Sequence, residues 1–503
     1  MKNHKLRKVL SCILAFMLVA GMIPGTAITA FAADEVPCTS TEGCDGYYNN
    51  GFCNDCEGYQ PAVDSDSDGF YEIENAGQLY WLAQTVNTGT NTEIDAILVD
   101  DIIMNYGVLV DGVLTDKTYT LTEWTPIGEY SVLCDDGYYR NFYYGGEFNG
   151  NGKTISGLYC PSDGLDYKGF FGIVDYDGNI YDLTISESYF GGGYDIGGIA
   201  GVNQGTISNC RNEAYVKGSN STGGIAGGSK GTISDCVNTG TVEGSNYSGG
   251  IVGNNGNCNI LRCNNTGAVT GDSYVGGIAG SNKQLISDCV NSGTVTGGTY
   301  GSEIGGIVGG DATGEITRCN NTAVVTGGTC VGGIVGSSQA VITNCYNTAS
   351  INSDGKYTGG IAGEVTTGSS AISNCYNIGN VTATTGGGIA GGNQGSITNS
   401  YYLQTDSINA GLFPNNTFDY WSIDPVGAAS LEDFNSGKIA YLLQSGNEEQ
   451  VWGQSLKESV LDLEYDEYPV YSDVFASINE HSTEHISLPD WEDLLVIAPA
   501  TAH

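Results

Sequence analysis

The sequence predicts an all-β protein whose main part is a right-handed, three-sided parallel β-helix. Two observations support this prediction. The phrase Gly-Gly-Ile-Ala/Val-Gly recurs at intervals of 26 to 29 residues, which is typical of a stacked array with one coil per repeat. Within each interval the apolar patches are short and are separated by Gly, Asn, Ser and Thr, so they fit strands and turns rather than helices. The phrase begins at Gly197, Gly223, Gly249, Gly276, Gly305, Gly332, Gly359 and Gly387.

Each repeat also carries four further fixed positions. An Ile stands three residues before a Cys, an Asn follows that Cys by two residues, and a β-branched residue follows it by six. Because like strands of successive coils pair in parallel about 4.8 Å apart, we expect the Ile, Cys and β-branched side chains to form buried columns. We expect the Asn residues to form a ladder at a turn, since Asn tolerates the left-handed conformation. The Cys column comprises Cys210, Cys236, Cys263, Cys289, Cys319, Cys345 and Cys375, with Ser400 in the eighth position.

These repeated residues resemble those of a known family. The phrase Gly-Gly-Ile-Ala/Val-Gly followed by Ile-x-Asn/Asp-Cys, as in Gly223–Cys236, resembles the GLUG repeats of secreted bacterial surface proteins. The same repeats occur beside the protease domain of immunoglobulin A metallopeptidases. The resemblance covers the stretch from Asp68 to Pro469. It implies a β-helical stalk or binding surface on an exported, adhesin-like protein, and it does not itself imply catalysis.

The first 32 residues have the pattern of a secretory signal peptide. Basic residues precede an apolar run from Val9 to Pro24, and Ala30-Phe31-Ala32 supplies the small residues of a cleavage site. The apolar run is too short for a membrane span, and no later segment qualifies, so we predict no transmembrane span in the mature chain. We therefore expect a protein that is secreted or held at the cell surface.

Residues 33–62 form a segment that is rich in Cys, Gly and Asn. It contains Cys38, Cys44, Cys53 and Cys56. Cys-x-x-Cys is a common half of a zinc site, whereas the wider Cys-x5-Cys spacing of the other pair is unusual for one. Two disulfides are equally compatible with an exported segment that is too small for a hydrophobic core. The sequence leaves both interpretations open.

Residues 63–190 are predicted to hold an N-terminal cap and irregular first coils. Alternating Asp64, Asp66 and Asp68 before a Gly match the first half of a calcium loop, but the twelfth position lacks the bidentate Glu, so either a weak calcium site or a solvated acidic linker fits. Asn75 then has the pattern of a helix N-cap, and the amphipathic helix that follows would cover the open end of the apolar column. Strand-like runs separated by turns continue to Ile185.

The repeat array is predicted for residues 191–403, and residues 404–503 for a C-terminal cap and an acidic tail. In the cap, Ser430 and Asp433 open a helical pattern that Gly437 interrupts. In the tail, His481-Ser-Thr-Glu484-His485 matches an inverted zinc-protease signature. Zinc hydrolysis needs these residues on a buried helix with a third ligand, and polar flanks with a nearby Pro489 disfavour that arrangement.

The charge of the chain argues against two classes of partner. Its formal net charge is −40, and removing the four basic residues of the leader, Lys2, Lys5, Arg7 and Lys8, gives −44. Between Gly197 and Ser400 ten acidic and seven basic residues leave a net charge of only −3, so the acidity lies in the flanks. We therefore predict no binding to nucleic acid or to anionic membranes. We also expect a monomer.

Two sets of tyrosines are the candidate binding residues. One set follows the Cys by one residue in the last three copies, and the other stands two residues before the Gly pair. Columns of Tyr on a flat face are suited to stacking on sugar rings or to gripping a protein, so a host glycan or protein is the expected partner. Tyr columns that only stack on one another are the alternative. The residues are Tyr346, Tyr376 and Tyr401 in the first set and Tyr247, Tyr274 and Tyr357 in the second.

We expect a non-enzymatic exported repeat protein that is adhesin-like or acts as a surface spacer. The first alternative is a polysaccharide lyase or hydrolase, which would need clustered carboxylates with a Lys or Arg on one face. The second is an accessory region of an immunoglobulin A peptidase-type system, which would need a catalytic partner in another chain. We assign no catalytic residue from the sequence, and zinc and weak calcium are the cofactors that it suggests.

Overall fold

The computed structural model describes residues 36–40, 44, 46–56, 58–134, 137–162, 164–403, 423–445, 447, 449–454 and 468–471. The predicted signal peptide and the His481–His485 motif lie outside these residues. The chain divides into two compact units, residues 1–61 and residues 62–503, which are described separately.

The first unit is built on a β-hairpin. Strands Tyr48–Asn49 and Phe52–Cys53 pair in antiparallel fashion, and Asn50 and Gly51, both with positive φ, make the two-residue turn. Single bridges join Pro37 to Tyr47 and Phe52 to Tyr59, so the chain on either side of the hairpin is tied to it.

The second unit is a parallel β-solenoid of about 12 turns, which confirms the predicted fold class. Three sides are predicted per coil, whereas each repeat coil has five short strands that belong to four sheets. In the coil that begins at Gly197, for example, the strands are Tyr194–Gly197, Ala200–Asn203, Thr206–Ser208, Arg211–Asn212 and Tyr215–Lys217. Every pairing between these sheets' neighbouring coils is parallel and in register, as in Ile207 opposite Ile233.

The four sheets are named A to D in the order in which a coil visits them. Sheet A consists of Tyr194–Gly197, Asn220–Gly223, Asn246–Gly249, Ser273–Gly276, Ser302–Gly305, Thr329–Gly332, Thr358–Gly359 and Gly386–Gly387. Sheet B consists of Phe171–Val174, Ala200–Asn203, Ala226–Ser229, Val252–Asn255, Ala279–Asn282, Val308–Gly310, Val335–Ser338, Ala362–Val365 and Ala390–Asn393.

Sheet C contributes two strands to most coils. It consists of Tyr71–Ile73, Ala96–Leu98, Ile102–Ile103, Glu147–Asn149, Thr154–Ser156, Asn179–Tyr181, Thr184–Ser186, Thr206–Ser208, Arg211–Asn212, Thr232–Ser234, Val237–Asn238, Asn259–Leu261, Asn264–Asn265, Ile286–Ser287, Val290–Asn291, Glu315–Thr317, Asn320–Asn321, Val341–Thr343, Tyr346–Asn347, Ala371–Ser373, Tyr376–Asn377, Ser396–Leu403 and Ile423–Ala429. Sheet D consists of Tyr159–Cys160, Tyr189–Gly191, Tyr215–Lys217, Val242–Glu243, Val269–Thr270, Val295–Thr296, Val325–Gly327, Ile351–Ser353 and Val381–Thr382.

The interior of the solenoid holds the columns that the repeats predict. The repeated Ile, β-branched and Cys side chains are all buried, with at most 4 % of any of them exposed. Each Cys thiol lies 3.2–3.4 Å from the carbonyl oxygen two residues earlier, as in Cys236 and Ser234. The in-register thiols are free cysteines, and burial raises the pKa of Cys263 well above its ordinary value, so the column is an apolar core and not a reactive one.

The predicted Asn ladder is present, but it runs through the interior, and its residues do not have the left-handed conformation that was expected of a turn. The side chain of each Asn except the last, Asn377, donates from Nδ2 to Oδ1 of the Asn in the next coil, at 2.8 Å, and every member is fully buried. Positive φ is found instead at the residue before each Cys, such as Asn209 or Arg262, where the chain turns a corner. The Asn amide takes the space that a Cβ at the second Gly of the Gly pair would need. The members are Asn212, Asn238, Asn265, Asn291, Asn321, Asn347 and Asn377.

An N-terminal helix and irregular coils precede the repeats. Helix α1 spans Ala76–Asn87, and Oδ1 of Asn75 accepts from Gln78 N at 3.0 Å, so the predicted cap is confirmed. Its buried face includes Leu79, Leu82 and Val86. Two short antiparallel hairpins, Leu109–Val110 with Val113–Leu114 and Glu129–Leu133 with Tyr139–Phe142, and a 3₁₀ turn at Thr118–Thr120 lie among these coils.

The described part of the C-terminal segment packs on the side of the last coils. Strand Ile423–Ala429 adds to sheet C, and helices α2 (Leu431–Asn435) and α3 (Lys438–Gln444) follow. Ser430 and Asp433 form a capping box, and Gly437, at φ +77°, separates the two helices as the sequence predicts. A last antiparallel pair joins Trp452–Gly453 to Val470–Tyr471. The helices in the described residues are too short and too polar to cross a membrane.

Candidate functional site

The first set of tyrosines lies beneath the C-terminal segment and is not a surface column. Tyr346, Tyr376 and Tyr401 are 6 %, 1 % and 7 % exposed. The rings of Tyr346 and Tyr376 stack with centroids 5.0 Å apart and an interplanar angle of 1°. Phe434, Trp452 and Tyr471 then cover them. The prediction that these three tyrosines present a binding face is therefore wrong, because the apolar faces of their rings are the docking surface for the chain's own segment.

The second set lies on sheet A, in the strands that end in the Gly pairs or directly beside them. Tyr247 and Tyr274 lie in neighbouring coils, are half-buried, and stack with ring centroids 4.5 Å apart and an interplanar angle of 19°. Both residues have positive φ, and this bend of the backbone carries their side chains outward. The strand register continues the same column through Glu303 and Cys330 to Tyr357.

Acidic side chains surround this column, which we call the open ladder (Tyr247, Tyr274, Glu303, Cys330 and Tyr357). The hydroxyl of Tyr247 donates to Asp311 Oδ2 at 3.3 Å, and the thiol of Cys330 lies 3.7 Å from Glu364 Oε2. Burial, with the neighbouring charges of Asp311 and Glu364, raises the pKa of Glu303 to about 7. Burial and nearby carboxylates also raise the pKa of Tyr247 to about 12.

The sequence analysis does not identify Glu303 or the two carboxylates beside the open ladder, those of Asp311 and Glu364. Glu303 occupies the same position, two residues before the Gly pair, as Tyr247, Tyr274 and Tyr357. Extending that position from aromatic residues to all residue types would have found Glu303 and Cys330. Glu364 lies in a strand of sheet B and Asp311 in the turn after another strand of that sheet, so only the coil geometry brings them to the same face.

The four cysteines of the N-terminal unit are brought together. The Sγ atoms of Cys38, Cys44, Cys53 and Cys56 all lie within 4.8 Å of one another. The shortest separations are 3.4 Å between Cys38 and Cys56 and 3.5 Å between Cys44 and Cys53. The cluster is half-buried.

The aspartates of the predicted calcium loop also converge, with one carboxylate oxygen from each of Asp64, Asp66 and Asp68 within 4.8 Å of the others. They are satisfied by backbone amides: Asp64 accepts from Asp68 N and Gly69 N at 3.2 Å each, and Asp68 accepts from Phe70 N at 2.9 Å. Glu72 is engaged by the hydroxyl of Ser65 at 2.6 Å. These contacts describe a self-capped acidic turn, and calcium binding there stays a prediction.

Comparison with known proteins identifies a known repeat motif in the solenoid. A family model described as the GLUG motif matches residues 327–352. Halomucin of Haloquadratum walsbyi is 38 % identical over 64 residues, which are 13 % of this chain and 1 % of halomucin. A Bacteroides ovatus crystal structure, provisionally named an immunoglobulin A1 protease, aligns over 82 % of this chain and 93 % of its own with 19 % identity and a TM-score of 0.30. The chain is thus a β-solenoid protein that carries the GLUG motif.

Proposed function

We propose that this protein is a non-enzymatic, exported surface protein whose solenoid presents the open ladder as a glycan-binding face. The single observation that supports this proposal is the stacked, half-exposed pair of Tyr247 and Tyr274 with carboxylates at its edge. The leader-like N-terminus and the resemblance to surface-protein repeats support export.

The chemistry of a sugar matches both parts of this face. The carbon-bound hydrogens on one side of a pyranose ring are apolar and pack on aromatic rings, whereas its hydroxyl groups donate hydrogen bonds to carboxylates. Asp311 is exposed and lies within reach of the Tyr247 hydroxyl, so acceptors stand beside the platform. A protein ligand would need a larger apolar patch than two half-exposed rings supply.

A glycan array probed with the full chain tests this proposal. Replacing Tyr274 by Ala removes half of the platform, and we expect binding to the recognised glycans to fall about tenfold, the effect of losing an aromatic contact of about 1.5 kcal/mol. Tyr300 is fully exposed and belongs to no described stack, so Tyr300→Ala is the matched control and should bind as the unaltered chain does. Equal binding by the Tyr274→Ala variant, or an array without any recognised glycan, would contradict the proposal.

A glycoside hydrolase is the second candidate function, and the pKa of Glu303 favours it. A carboxyl group with a pKa of about 7 beside two other carboxyl groups, those of Asp311 and Glu364, has the properties of a general acid. Release of reducing ends from the glycans recognised on the array, abolished in the Glu303→Gln variant, would support hydrolysis over simple binding. Binding without release of reducing ends would support the non-enzymatic function.

A further inference from the structure

We propose that Cys38, Cys44, Cys53 and Cys56 bind one Zn²⁺ ion as a closed structural site. The sequence alone leaves zinc and two disulfides open, and the arrangement of the four sulfur atoms decides between them. Four protein ligands fill the tetrahedral coordination of zinc, so this site leaves no position for a substrate or a reactive water. Its role is to hold the N-terminal unit together.

The distances between sulfur atoms fit a shared ion. Zinc–thiolate bonds of about 2.3 Å place the corners of a tetrahedron about 3.8 Å apart. The closest pairs are 3.4 and 3.5 Å apart, and all four sulfur atoms lie within 4.8 Å of one another. Two disulfides need only two separate pairs at about 2.05 Å and do not require the pairs to meet. Here the hairpin and its flanks bring all four sulfur atoms to one point.

Backbone amides point at the sulfur atoms, as they do around metal-bound thiolates. Gly46 N donates to Cys44 Sγ at 3.4 Å, and Asp55 N and Cys56 N donate to Cys53 Sγ at 3.5 and 3.4 Å. A thiolate accepts such bonds well, and a disulfide sulfur is a poor acceptor. The chain after Cys53 therefore turns back over its own sulfur, which also brings Cys56 into the cluster.

Two glycines make room for the cluster. A Cβ on Gly46 would lie 2.7 Å from Cys53 Sγ and from Asp55 Cβ, and one on Gly58 would lie 1.9 Å from Ser40 Oγ and 3.3 Å from Cys56 Sγ. Neither glycine has a positive φ. The clash at Gly46 arises from the closeness of the backbone to Cys53 Sγ, and the clash at Gly58 from its closeness to Ser40, which lies beside the cluster. The positions of the cysteines and of these two glycines are therefore both required for the four sulfur atoms to come together.

The described residues of this unit bury little besides the cysteines. Among its described residues only Cys38, Gly46, Gly51 and Cys53 are buried, and the rings of Phe52 and Tyr59, which contact each other, are only half-buried. A segment of this size gains too little from apolar burial to fold alone and needs a covalent or metal cross-link. Because the ligands meet only in the folded unit, zinc binding and folding are coupled.

Metal analysis of the full chain, purified without chelator and under reducing conditions, tests the proposal. We expect one zinc ion per chain by elemental mass spectrometry and its release when the thiols react with a mercurial. The double variant Cys53→Ser/Cys56→Ser should retain less than a tenth of that zinc. Cobalt added in place of zinc should give the visible absorption of a tetrahedral thiolate complex, and this absorption should be lost in the same variant.

Controls separate this site from the other thiols and from disulfides. Cys330 is a half-buried cysteine of the solenoid, and Cys330→Ser should keep the full zinc content. Purification in air followed by alkylation without reductant should still show four blockable thiols in this unit. A zinc-free chain whose mass is four hydrogens lower in this unit would overturn the proposal in favour of disulfides. Full zinc content in the double variant would also overturn it, because the ion would then be bound by other residues.

Discussion

Two columns of stacked tyrosines that arise from the same repeat differ in their exposure to solvent. In the open ladder, Tyr247 and Tyr274 stack at 4.5 Å and stay half-exposed. In the covered set, Tyr346 and Tyr376 stack at 5.0 Å and lose almost all contact with solvent. In-register coils place like residues one above another in both cases. The difference comes from a segment outside the repeats.

The C-terminal segment is held on the covered tyrosines by apolar contact and by specific hydrogen bonds. Trp452 lies with its ring centroid 6.0 Å from that of Tyr346 and 5.7 Å from that of Tyr376. The hydroxyl of Tyr471 donates to Asn344 O at 2.7 Å and to Cys319 O at 3.0 Å. The segment thus packs on the rings of the tyrosine column and also hydrogen-bonds to the backbone at the corner of the coil beside it. In this column the repeat provides the aromatic surface, and a segment outside the repeats covers it.

The largest expected effect is a difference between two identical substitutions. Tyr376→Ala removes a buried ring and the hydroxyl that donates to Pro469 O at 2.5 Å, so we expect the free energy of unfolding to fall by about 3–5 kcal/mol. Tyr274→Ala removes a half-exposed ring and should cost about 1 kcal/mol. Urea denaturation of both variants measures the difference. Equal losses would contradict the contrast between the two columns.

The next prediction tests whether the interior is the same beneath both columns. Asn238→Ala and Asn347→Ala each remove one rung of the buried Asn ladder and leave a donor and an acceptor unpaired. Because the hydrogen-bond lengths are the same in both places, each variant should lose about 2–3 kcal/mol of stability. Asn257→Ala alters an exposed Asn and serves as the control. A large difference between the two ladder variants would show that the repeats are not energetically equivalent.

The smallest effect should appear as a dependence on pH. The pKa of Glu303 is about 7 in the folded protein, above its ordinary value of 4.5, so the folded state binds its proton more tightly than the unfolded state does. Its contribution to stability is therefore complete below pH 4.5 and is lost as the pH rises through 7.

We expect the unaltered chain to lose on the order of 1 kcal/mol more stability than Glu303→Gln between pH 5 and pH 8, a value reduced for solvent screening because the carboxyl group is partly exposed. Glu315 is exposed, and Glu315→Gln is the matched control substitution. Thermal unfolding at a series of pH values measures this difference. An identical pH profile for Glu303→Gln would contradict the environment assigned to Glu303.

Much of the solenoid was predictable because its signal is repeated. The spacing of the Gly pairs, the Ile residues and the Cys residues predicts one coil per repeat, and each column is buried as expected. The helix after Asn75 and the break at Gly437 were predictable from local capping and backbone preferences. The number of strands per coil was not, because two-residue strands on either side of a left-handed corner look like one patch in the sequence.

The sequence by itself determined the period, the buried columns and the register, since these depend on contacts between equivalent residues of neighbouring coils. Only the tertiary structure decided which tyrosines meet solvent, because Trp452 and Tyr471 reach Tyr346 across more than a hundred residues of chain. It also decided that Glu303 shares a face with Asp311 and Glu364 and that four cysteines share one centre. Such contacts have no period, and their partners become neighbours only when the chain is folded.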